Sequence, residues 1–511
     1  MAIPIVNSII SWFLKKRIHQ IDLFVKYPID VQEELLHRLI FTSKNTELGK
    51  QFDFETIKDY QTFTERIPIQ KYESFEPFIE RARKGEQNLF WNTNIKWFAK
   101  SSGTTNAKSK FIPVSDEAIE DCHMKAGKDM LCLYINNNPN TQLFTGKGLR
   151  LGGSSAVYED NNSYFGDLSA IIIENMPFWA DLSSAPKQET ALMSEWETKM
   201  EAIINETINE NITSLIGVPS WMLVLLNRVL EKTGKETILE VWPNLEVYFH
   251  GGVNFNPYRE QFKKLIPKKD FKYYETYNAS EGFFAIQDQN GSKELLLMLD
   301  YGIFYEFIPM NSYEGEKSTA IQLSDVELYT SYALVITTNG GLWRYLIGDT
   351  IKFTSLKPYR IKITGRTKHF INVFGEELII ENVEDALKKA CKKTKSAIID
   401  YTVAPIFMKD KSNGSHEWMI EFSKAPKSID YFTELLDNAL KAINSDYEAK
   451  RYNNMTLGMP KVHQARKGLF YDWLKIKGKL GGQNKIPRLS NKRDFMEELL
   501  QLEIETNNIL V

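Results

Sequence analysis

The chain has 511 residues, of which 43% are hydrophobic and 25% are charged, and its formal net charge is −3. This composition is typical of globular proteins and gives no reason to expect a disordered, collagen-like or nucleic-acid-binding chain. A chain of this length exceeds one comfortable hydrophobic core, so we expect a large domain with one or two smaller partners.

The first stretch of the chain, "MAIPIVNSIISWFLKKR", places its positive charges after a short apolar run. This order is the reverse of a signal peptide, so we expect an amphipathic helix packed on the domain. From Pro28 to about Ile67, apolar residues recur every three or four positions, which predicts a helical segment with Asp30 as its capping residue. No later segment reaches the roughly 20 apolar residues that a membrane span requires.

A stretch that begins at Trp97, "WFAKSSGTTNAKSKFIPVS", combines glycine and hydroxyl side chains with lysines. Backbone N–H groups and hydroxyls can surround anionic oxygens while lysine neutralises their charge, so this stretch is a candidate phosphate loop. It lacks the spacing of the P-loop of nucleoside triphosphatases. The same composition also occurs in ordinary surface loops, where it serves turn formation only.

Short β-rich runs alternate with helical stretches from Thr93 onward, which predicts an α/β architecture with helices at 189–211 and 221–233. Between Leu245 and Phe353 strands dominate. Three of them end abruptly in Gly, Asn or Ser: "LEVYFHGG", "FKYYETYNASEG" and "ALVITTNGGLWRYLIGD". In α/β sheets ligands gather at such strand ends, because the strands supply rigid positions and the loops supply exposed polar groups.

Two carboxylates stand at these strand ends. Glu281 is placed to reach a magnesium ion or to polarise a water, and its alternative role is to cap a turn. Asp349 is placed to accept two ribose hydroxyls, and its alternative is an ordinary Gly-Asp turn. His250 is interpreted as a strand-end residue satisfied by a backbone partner. Hydrolase and metalloprotease motifs are absent from the sequence.

Near "TGRT" at 364–367 the chain becomes rich in lysine and returns to a β-α-β rhythm, which predicts a hinge. We therefore expect an N-terminal domain at 1–363 and a small α+β domain at 364–511. Within the second domain the pattern predicts helices at 381–394 and 429–443 and strands at 397–406 and 417–422.

The cysteines Cys122, Cys132 and Cys391 have neither a paired spacing nor a metal-ligand pattern. This usage predicts unpaired thiols in a reducing compartment, and so a cytoplasmic protein.

Taken in chain order, four motifs resemble those of one enzyme superfamily. "SSGTTNAKSKFIP" resembles the phosphate loop of adenylate-forming enzymes, "TYNASEG" their second motif, "GLWRYLIGDT" their third, and "GRTKHFINVFGEEL" the hinge to their mobile C-terminal domain. The opening helices, the "FAKSSGTT" lead-in and the closing "NKIPR" resemble one branch most closely, the auxin-responsive acyl acid-amido synthetases. The resemblance covers nearly the whole chain.

The resemblance implies an α/β fold with a large multi-sheet N-terminal domain, 1–363, that binds the nucleotide and the acyl acid, and a smaller mobile α+β C-terminal domain, 364–511. It also implies a role for each matching residue. Lys110, Glu281 and Lys485 would be catalytic, with Glu281 as the Mg²⁺ ligand. The residues implied to bind ATP are Ser101, Ser102, Gly103, Thr104, Thr105, Gly251, Gly252, Tyr277, Ser280, Asp349 and Arg366. Of these, the glycines at 251–252 would lie along the adenine, Tyr277 would flank the base, Asp349 would hold the ribose, and Lys485 would approach the α-phosphate.

The sequence departs from the family pattern at several positions. Asn106 and Ala107 stand where many relatives have glycine, and Lys368 stands where many have an acid. Leu346 follows the tyrosine of the third motif where the family often has arginine, which leaves Arg344 as the nearest guanidinium.

The implied function is that of a ligase that uses ATP and Mg²⁺ to adenylate a small carboxylic acid and then transfers the acyl group to the amine of an amino acid. The alternatives are an acyl-CoA or acyl-AMP synthetase and a catalytically silent nucleotide-binding protein. We expect a monomer without nucleic-acid partners. Residues 149–179 are a candidate acyl pocket or, alternatively, plain core sheet.

Overall fold

The computed structural model describes residues 16–101, 110–152, 157–160, 162–252, 255, 258–367, 370–371, 378–407, 414–444, 447–448, 451, 457–480, 486–490 and 492–509. Residues 16–26 are helical. The helices that follow are Pro28–Ser43, Glu47–Gln51, Tyr60–Arg66, Tyr72–Arg83, Lys125–Asn137, Leu168–Glu174, Phe178–Leu182, Gln188–Ala191, Trp196–Thr207, Pro219–Thr233, Ile238–Val241, Arg259–Leu265, Ile380–Thr394, Ile429–Ile443, Leu469–Ile476 and Asp494–Ile509. A π-helical segment, Ala118–Met124, precedes the helix Lys125–Asn137.

The strands are β1 Trp97–Ser101, β2 Lys110–Val114, β3 Lys147–Leu151, β4 Tyr158–Asp160, β5 Ser163–Gly166, β6 Ser184–Ala185, β7 Ile212–Gly217, β8 Val247–Gly251, β9 Lys272–Ala279, β10 Gly282–Ile286, β11 Leu295–Leu297, β12 Ile303–Pro309, β13 Ser331–Thr338, β14 Tyr345–Leu356, β15 Tyr359–Arg366, β16 Phe370–Ile371, β17 Leu378–Ile379, β18 Ala397–Ile406, β19 Ser415–Lys424 and β20 Lys461–Ala465. No helix in these ranges combines the length and the apolar character that crossing a bilayer requires.

The predicted helical lead-in is present but divided. Its first helix begins at Pro28, whose fixed φ suits the first helical position, and Asp30 lies in the first turn and does not cap it. Leu35, Leu36 and Leu39 bury one face of this helix. The helical pattern predicted up to Ile67 is divided among several helices. The last of them is capped by Asp59, whose side chain accepts a hydrogen bond from the Thr62 N–H at 2.7 Å.

The largest sheet of the described chain has 11 strands in the order β12-β13-β14-β15-β11-β10-β9-β8-β7-β3-β6. Strands β9, β8, β7, β3 and β6 pair in parallel, whereas β10 to β15 pair antiparallel. A second sheet has the order β2-β1-β5-β4. The carboxyl ends of the parallel strands therefore meet the β9–β10 hairpin, where the motif "TYNASEG" lies.

The parallel strands bury both faces, as the near-continuous apolar runs of their sequence require. On the first face, Ile216 and Phe249 are register partners, and Phe249 packs against Tyr134 of the helix Lys125–Asn137 with ring centroids 5.6 Å apart. On the second face, Leu215 and Tyr248 are register partners, and Tyr248 stacks on Phe262 at 4.9 Å. Each face thus borders its own hydrophobic cluster.

The C-terminal part forms a three-stranded sheet, β18-β19-β20, against which two long helices pack. Those helices, Ile380–Thr394 and Ile429–Ile443, and strand β18 lie within one residue of their predicted bounds. Strand β19 is longer than predicted and spans Ser415–Lys424. The predicted fold class, a large α/β part with several sheets followed by a smaller α+β part, is confirmed.

Candidate active site

A cleft of about 1480 Å³ lies where the parallel strands end and where the C-terminal helix Ile380–Thr394 faces the large sheet. Most of the predicted site residues that the structure describes line it. They are Ser101, Gly251, Gly252, Tyr277, Ser280, Glu281, Asp349 and Arg366. Residues that are far apart in sequence thus share one concave surface, which is the usual setting of a small-molecule site.

Asp349 is held from two sides at the floor of this cleft. The hydroxyl of Tyr277 donates to Asp349 Oδ2 at 2.7 Å, and Arg366 Nε donates to Oδ1 at 2.6 Å. Asp349 and Arg366 are register partners in β14 and β15, which places their side chains on the same side of the sheet. Because both oxygens are engaged, the plane of the carboxylate is fixed before any ligand binds.

Tyr277 is buried, with 5% of its surface exposed, and its ring packs against Phe284 at 4.8 Å. Burial, and after it the charge of Asp349, raise the pKa of Tyr277 well above its ordinary value, so the hydroxyl remains a donor. The charge of Asp349 likewise raises the pKa of Arg366. The expected contact of Tyr277 with a base stays a prediction.

Glu281 follows strand β9 and is partly buried in the cleft. Burial raises its pKa, and the positive charges of Arg366 and Lys110 oppose that shift. The hydroxyl of Tyr345 donates to Glu281 Oε1 at 3.4 Å. A carboxylate in this setting is an oxygen ligand poised between cationic neighbours, and it can hold a hard cation or a developing positive charge.

Ser101 and Lys110 are register partners that end β1 and begin β2. The ammonium of Lys110 lies 5.3 Å from the centre of the Tyr72 ring, and its charge reaches Glu281. The rest of the predicted phosphate loop, Ser102, Gly103, Thr104 and Thr105, lies outside the described residues. So do Lys485 and the departures at 106, 107 and 368.

Gly251 ends β8 against the neighbouring strand. A Cβ at this position would stand 2.6 Å from Thr276 Oγ1 and 2.7 Å from the Thr276 carbonyl oxygen, so only glycine fits. Gly252 has φ +78°, in the left-handed region that favours glycine. The two glycines therefore give the cleft a bare backbone wall.

Two sequence-based interpretations need correction. Arg344 is buried, donates to Glu306 at 2.9 Å and donates to the Ile67 carbonyl at 2.7 Å, so it holds the N-terminal helices to the sheet and does not reach the cleft. His250 packs on the Phe255 ring at 4.1 Å, and burial lowers its pKa to about 3. Its Nδ1 has no hydrogen-bond partner among the described residues, contrary to the expected backbone partner.

Sequence reasoning missed several residues of the cleft. Tyr345 belongs to the third motif, yet its contact with Glu281 depends on the pairing of distant strands. Glu275 and Glu384 line the cleft from β9 and from the helix Ile380–Thr394. Arg488, also in the cleft, donates to the Tyr258 hydroxyl at 3.1 Å and so joins the C-terminal part to the N-terminal part. Only Arg488 gave a signal in the sequence, because it is the last residue of "NKIPR".

No group of three or more His, Cys, Asp or Glu side chains forms a metal site within the described ranges.

The fold matches solved structures of enzymes that activate carboxylic acids. An acyl acid amido synthetase, GH3.15 in complex with 2,4-DB, superposes with a TM-score of 0.79, at 16% sequence identity and 94% coverage of both chains. A 2-hydroxyisobutyryl-CoA ligase in the postadenylation state superposes with a TM-score of 0.58, at 11% identity, over 93% of this chain and 91% of that one. The class of fold is therefore that of adenylate-forming ligases.

The family follows from the sequence matches. Residues 17–271 match the GH3 family N-terminal domain, 296–366 its central domain and 381–494 its C-terminal domain. The chain belongs to the GH3 family. It is 22% identical to the indole-3-acetic acid-amido synthetase GH3.4 of Arabidopsis thaliana, over 95% of this chain and 93% of that protein. It is 21% identical to the jasmonoyl–L-amino acid synthetase JAR6 of Nicotiana attenuata, over 96% and 95%.

These findings confirm the family resemblance predicted from the four motifs, and with it an enzyme of the ligase class, an acyl acid-amido synthetase.

Proposed function

We propose that this enzyme uses ATP and Mg²⁺ to convert a small carboxylic acid into its acyl-adenylate and then transfers the acyl group to the amine of an amino acid. The observation that carries the proposal is the convergence of Glu281, Asp349 and Arg366 on one cleft: Glu281 from the turn after β9, Asp349 from within β14 and Arg366 from the end of β15. The names of the relatives support the amide-forming second step.

In the first step an oxygen of the acid attacks the α-phosphorus, an acyl-phosphate bond forms, and the bond to pyrophosphate breaks. Negative charge then grows on phosphoryl oxygens, so the protein acts by positioning and by electrostatic stabilisation. In the second step the amine nitrogen attacks the acyl carbon, loses a proton and displaces AMP, which leaves with one oxygen of the acid.

Residues on the cleft wall match these needs. Asp349, fixed by Tyr277 and Arg366, has lone pairs left to accept the ribose hydroxyls. Gly251 and Gly252 allow the flat adenine to approach the backbone. Ser280 is buried next to Glu281 on the side proposed for the α-phosphate.

A Mg²⁺ ion fits Glu281, because a magnesium site for a nucleotide needs one or two carboxylates and takes its other oxygens from phosphates and water. When bound, the ion neutralises phosphate charge. Lys110, whose charge reaches Glu281, would act on the same phosphates, together with the hydroxyls of the loop from Ser101 to Thr105. Lys485 would approach from the C-terminal side, and the next two residues, Ile486 and Pro487, line the cleft.

The domain boundary proposed between 363 and 364 falls inside β15, just before Gly365. Gly365 has φ +143°, a backbone conformation that residues with a side chain rarely adopt. A swing about this point would present different faces of the small domain in the two steps. Three free cysteines, Cys122, Cys132 and Cys391, agree with the proposed cytoplasmic setting.

The test is acid-dependent release of pyrophosphate from ATP across a panel of carboxylic acids, followed by addition of amino acids or of coenzyme A. We expect release with at least one acid and amide formation with amino acids.

Glu281→Gln should lower the adenylation rate by about 100-fold or more, since a charge close to the phosphates is lost. Glu201→Gln, an exposed change on the helix Trp196–Thr207, is the matched control and should be silent. Thioester formation without amide formation would favour a CoA ligase, and no pyrophosphate release with any acid would favour a silent nucleotide-binding protein.

A further inference from the structure

The cleft has a second compartment on the first face of the large sheet, which we name the side pocket. Its walls are mostly apolar, with His123 and Ser169 as polar members. They come from three elements that pack together: the helical segment 118–137, the helix Leu168–Glu174 with the turn after it, and the parallel strands. The apolar lining residues are Met130, Ile172, Ile173, Met176, Ile216 and Phe249. An apolar chain or ring that enters from the strand ends would be buried there.

Arg150 stands on this apolar surface. It is the register partner of Ile216, which in turn is the register partner of Phe249, so the three side chains form one row across the first face. Only 6% of the Arg150 surface is exposed. A guanidinium in such a place needs partners for its N–H groups, because buried donors that lack one carry a free-energy penalty.

The partners of Arg150 leave one donor unused. Nη2 donates to Asp181 Oδ1 at 2.6 Å and faces the Pro186 carbonyl at 3.5 Å, and Nη1 lies 2.7 Å from the sulfur of Met176. Arg150 Nε is buried and has no hydrogen-bond partner among the described residues. Arg150 thus lines the side pocket with its Nε unpaired within the described part of the chain. Because this atom has almost no exposed surface of its own, an acceptor can reach it only if a neighbouring side chain shifts.

The net charge of the Arg150–Asp181 ion pair determines which kind of hydrogen-bond acceptor Arg150 would bind. Arg150 and Asp181 together are neutral, and Asp181 is 34% exposed at its side chain, so its own charge is partly hydrated. A neutral acceptor, such as a keto, hydroxyl or phenol oxygen, completes the hydrogen bonding without adding charge. A second carboxylate would bring an uncompensated negative charge into an apolar pocket, which is costly.

We propose that Arg150 is a specificity-determining residue, and that the acyl acids of this enzyme carry a neutral hydrogen-bond acceptor at the end remote from the reacting carboxylate. The inference rests on the proposed function, which places the α-phosphate, and with it the reacting carboxylate, beside Ser280 and Glu281 where the parallel strands end. Gly251 ends β8 at the same edge of the sheet and serves as the reference point for the distance. Arg150 and Gly251 lie two strands and two residues apart on the same face, which separates their Cα atoms by about 12 Å, and an arginine side chain spans about half of that. An acid with a chain of roughly five to eight carbons, or a substituted ring of similar length, bridges the remainder.

The experiment compares matched acids in the pyrophosphate-release assay: straight-chain hexanoate and octanoate, the keto acids that carry an oxygen on their penultimate carbon, and the corresponding dicarboxylates. The wild-type enzyme should favour a keto acid over the plain acid of its length by about tenfold or more in kcat/KM, because a site built to bond an oxygen rejects the analogue that lacks it. Arg150→Met should reduce this ratio to about one, whatever its effect on the absolute rate with the plain acids.

Asp181→Asn separates recognition from a merely structural ion pair. Removal of the counter-charge makes the pocket positive, so this variant should improve the dicarboxylates relative to the keto acids while Arg150→Met worsens both. If the pair only holds β3 to the helix Phe178–Leu182, the two substitutions will lower the activity with all acids alike, and the proposal is overturned. It is equally overturned if the wild type shows no preference for the keto acids at either length.

Arg150→Lys, which keeps a charge but loses the Nε donor geometry, replaces Arg150→Met if that variant does not fold, and should also lose the preference. Activation of plain acids without any keto preference would contradict this inference alone. Failure to activate any acid would instead contradict the proposed function.

Discussion

Asp349 shows how a single side chain is prepared for a ligand. Its two oxygens receive hydrogen bonds from Tyr277 and Arg366 at 2.7 and 2.6 Å, and its side chain is 12% exposed. The tyrosine bond costs little to maintain because the hydroxyl is already buried and protonated. This hydrogen bond orients the Asp349 carboxylate, so its loss should weaken nucleotide binding more than it lowers the free energy of unfolding.

We therefore predict that Tyr277→Phe raises KM for ATP by about 10- to 150-fold with a smaller change in kcat, since a hydrogen bond to a charged group contributes about 1.5–3 kcal/mol. The measurement is steady-state pyrophosphate release at varied ATP. Tyr305→Phe is the matched control, because that buried hydroxyl donates to the Met298 carbonyl at 3.1 Å, away from the cleft. An equal rise in both variants would show a general effect of removing a buried hydroxyl.

The end of strand β8 shows how a whole structural element is shaped for ligand binding before any ligand is present. Gly251 faces both the hydroxyl and the backbone carbonyl of Thr276, and a methyl group there would meet the carbonyl at 2.7 Å. A side-chain hydroxyl can rotate away, but the carbonyl is fixed by the ladder between β8 and β9. The strands themselves would have to separate.

Gly251→Ala should therefore destabilise the fold by about 1–3 kcal/mol, as overpacking does, and weaken ATP binding because the bare backbone wall is displaced. Thermal unfolding and nucleotide binding measured on the same preparation test this. Gly458→Ala is the control, since a Cβ there would have its nearest neighbours at 3.5 and 3.9 Å. Unchanged ATP binding by Gly251→Ala would remove the proposed role of the wall.

The sequence predicted isolated elements better than their assembly. The helices Ile380–Thr394 and Ile429–Ile443 were predicted almost to the residue, because each has a clear apolar stripe at helical spacing. The strand order was not predicted, since nothing local indicates that β11 lies between β10 and β15.

The same limit applies to the site. Glu281 and Asp349 were found because each lies in a motif that indicates a strand end, and Arg366 was found because the hinge motif resembles that of a known family. Arg150 and Glu384 were missed, because their place in the cleft depends on strand pairing and on how the two parts of the chain pack. Arg344 was considered as the motif's guanidinium, but its φ of +43° belongs to a turn that directs the chain into β14, and its side chain ends beside Glu306.

At the scale of the molecule, the C-terminal part packs directly on the large sheet. Met419 and Trp473 belong to the same buried cluster as Tyr248 and Phe262. The Gln261 side chain also donates to the Ile398 carbonyl at 3.0 Å across this contact. This arrangement brings carboxylates of both parts into the cleft.

Glu275 and Glu384 are those carboxylates. Burial raises the pKa of Glu384 to about 8, with Arg488 opposing the shift and Asp385, Glu275 and Glu381 adding to it. Burial also raises the pKa of Glu275 to about 7, and Arg259 opposes this. Both groups thus hold a proton more tightly in the packed arrangement than in the unfolded chain.

The sign of the resulting pH dependence follows from proton counting. Between about pH 5 and pH 8 the folded protein binds more protons at these two carboxyls than the unfolded chain does, so stability is fully present below that window and falls as the pH rises through it. Glu384→Gln removes one titrating group, and should flatten the fall by up to about 1.4 kcal/mol per pH unit. Unfolding temperatures of the wild type, Glu384→Gln and the exposed control Glu201→Gln, recorded from pH 5 to 9, measure this. Because glutamine mimics the protonated acid, the unfolding temperature of Glu384→Gln should match that of the wild type at pH 5 and exceed it at pH 9. Parallel curves for all three proteins would mean that the two parts of the chain do not bury Glu384 between them in solution.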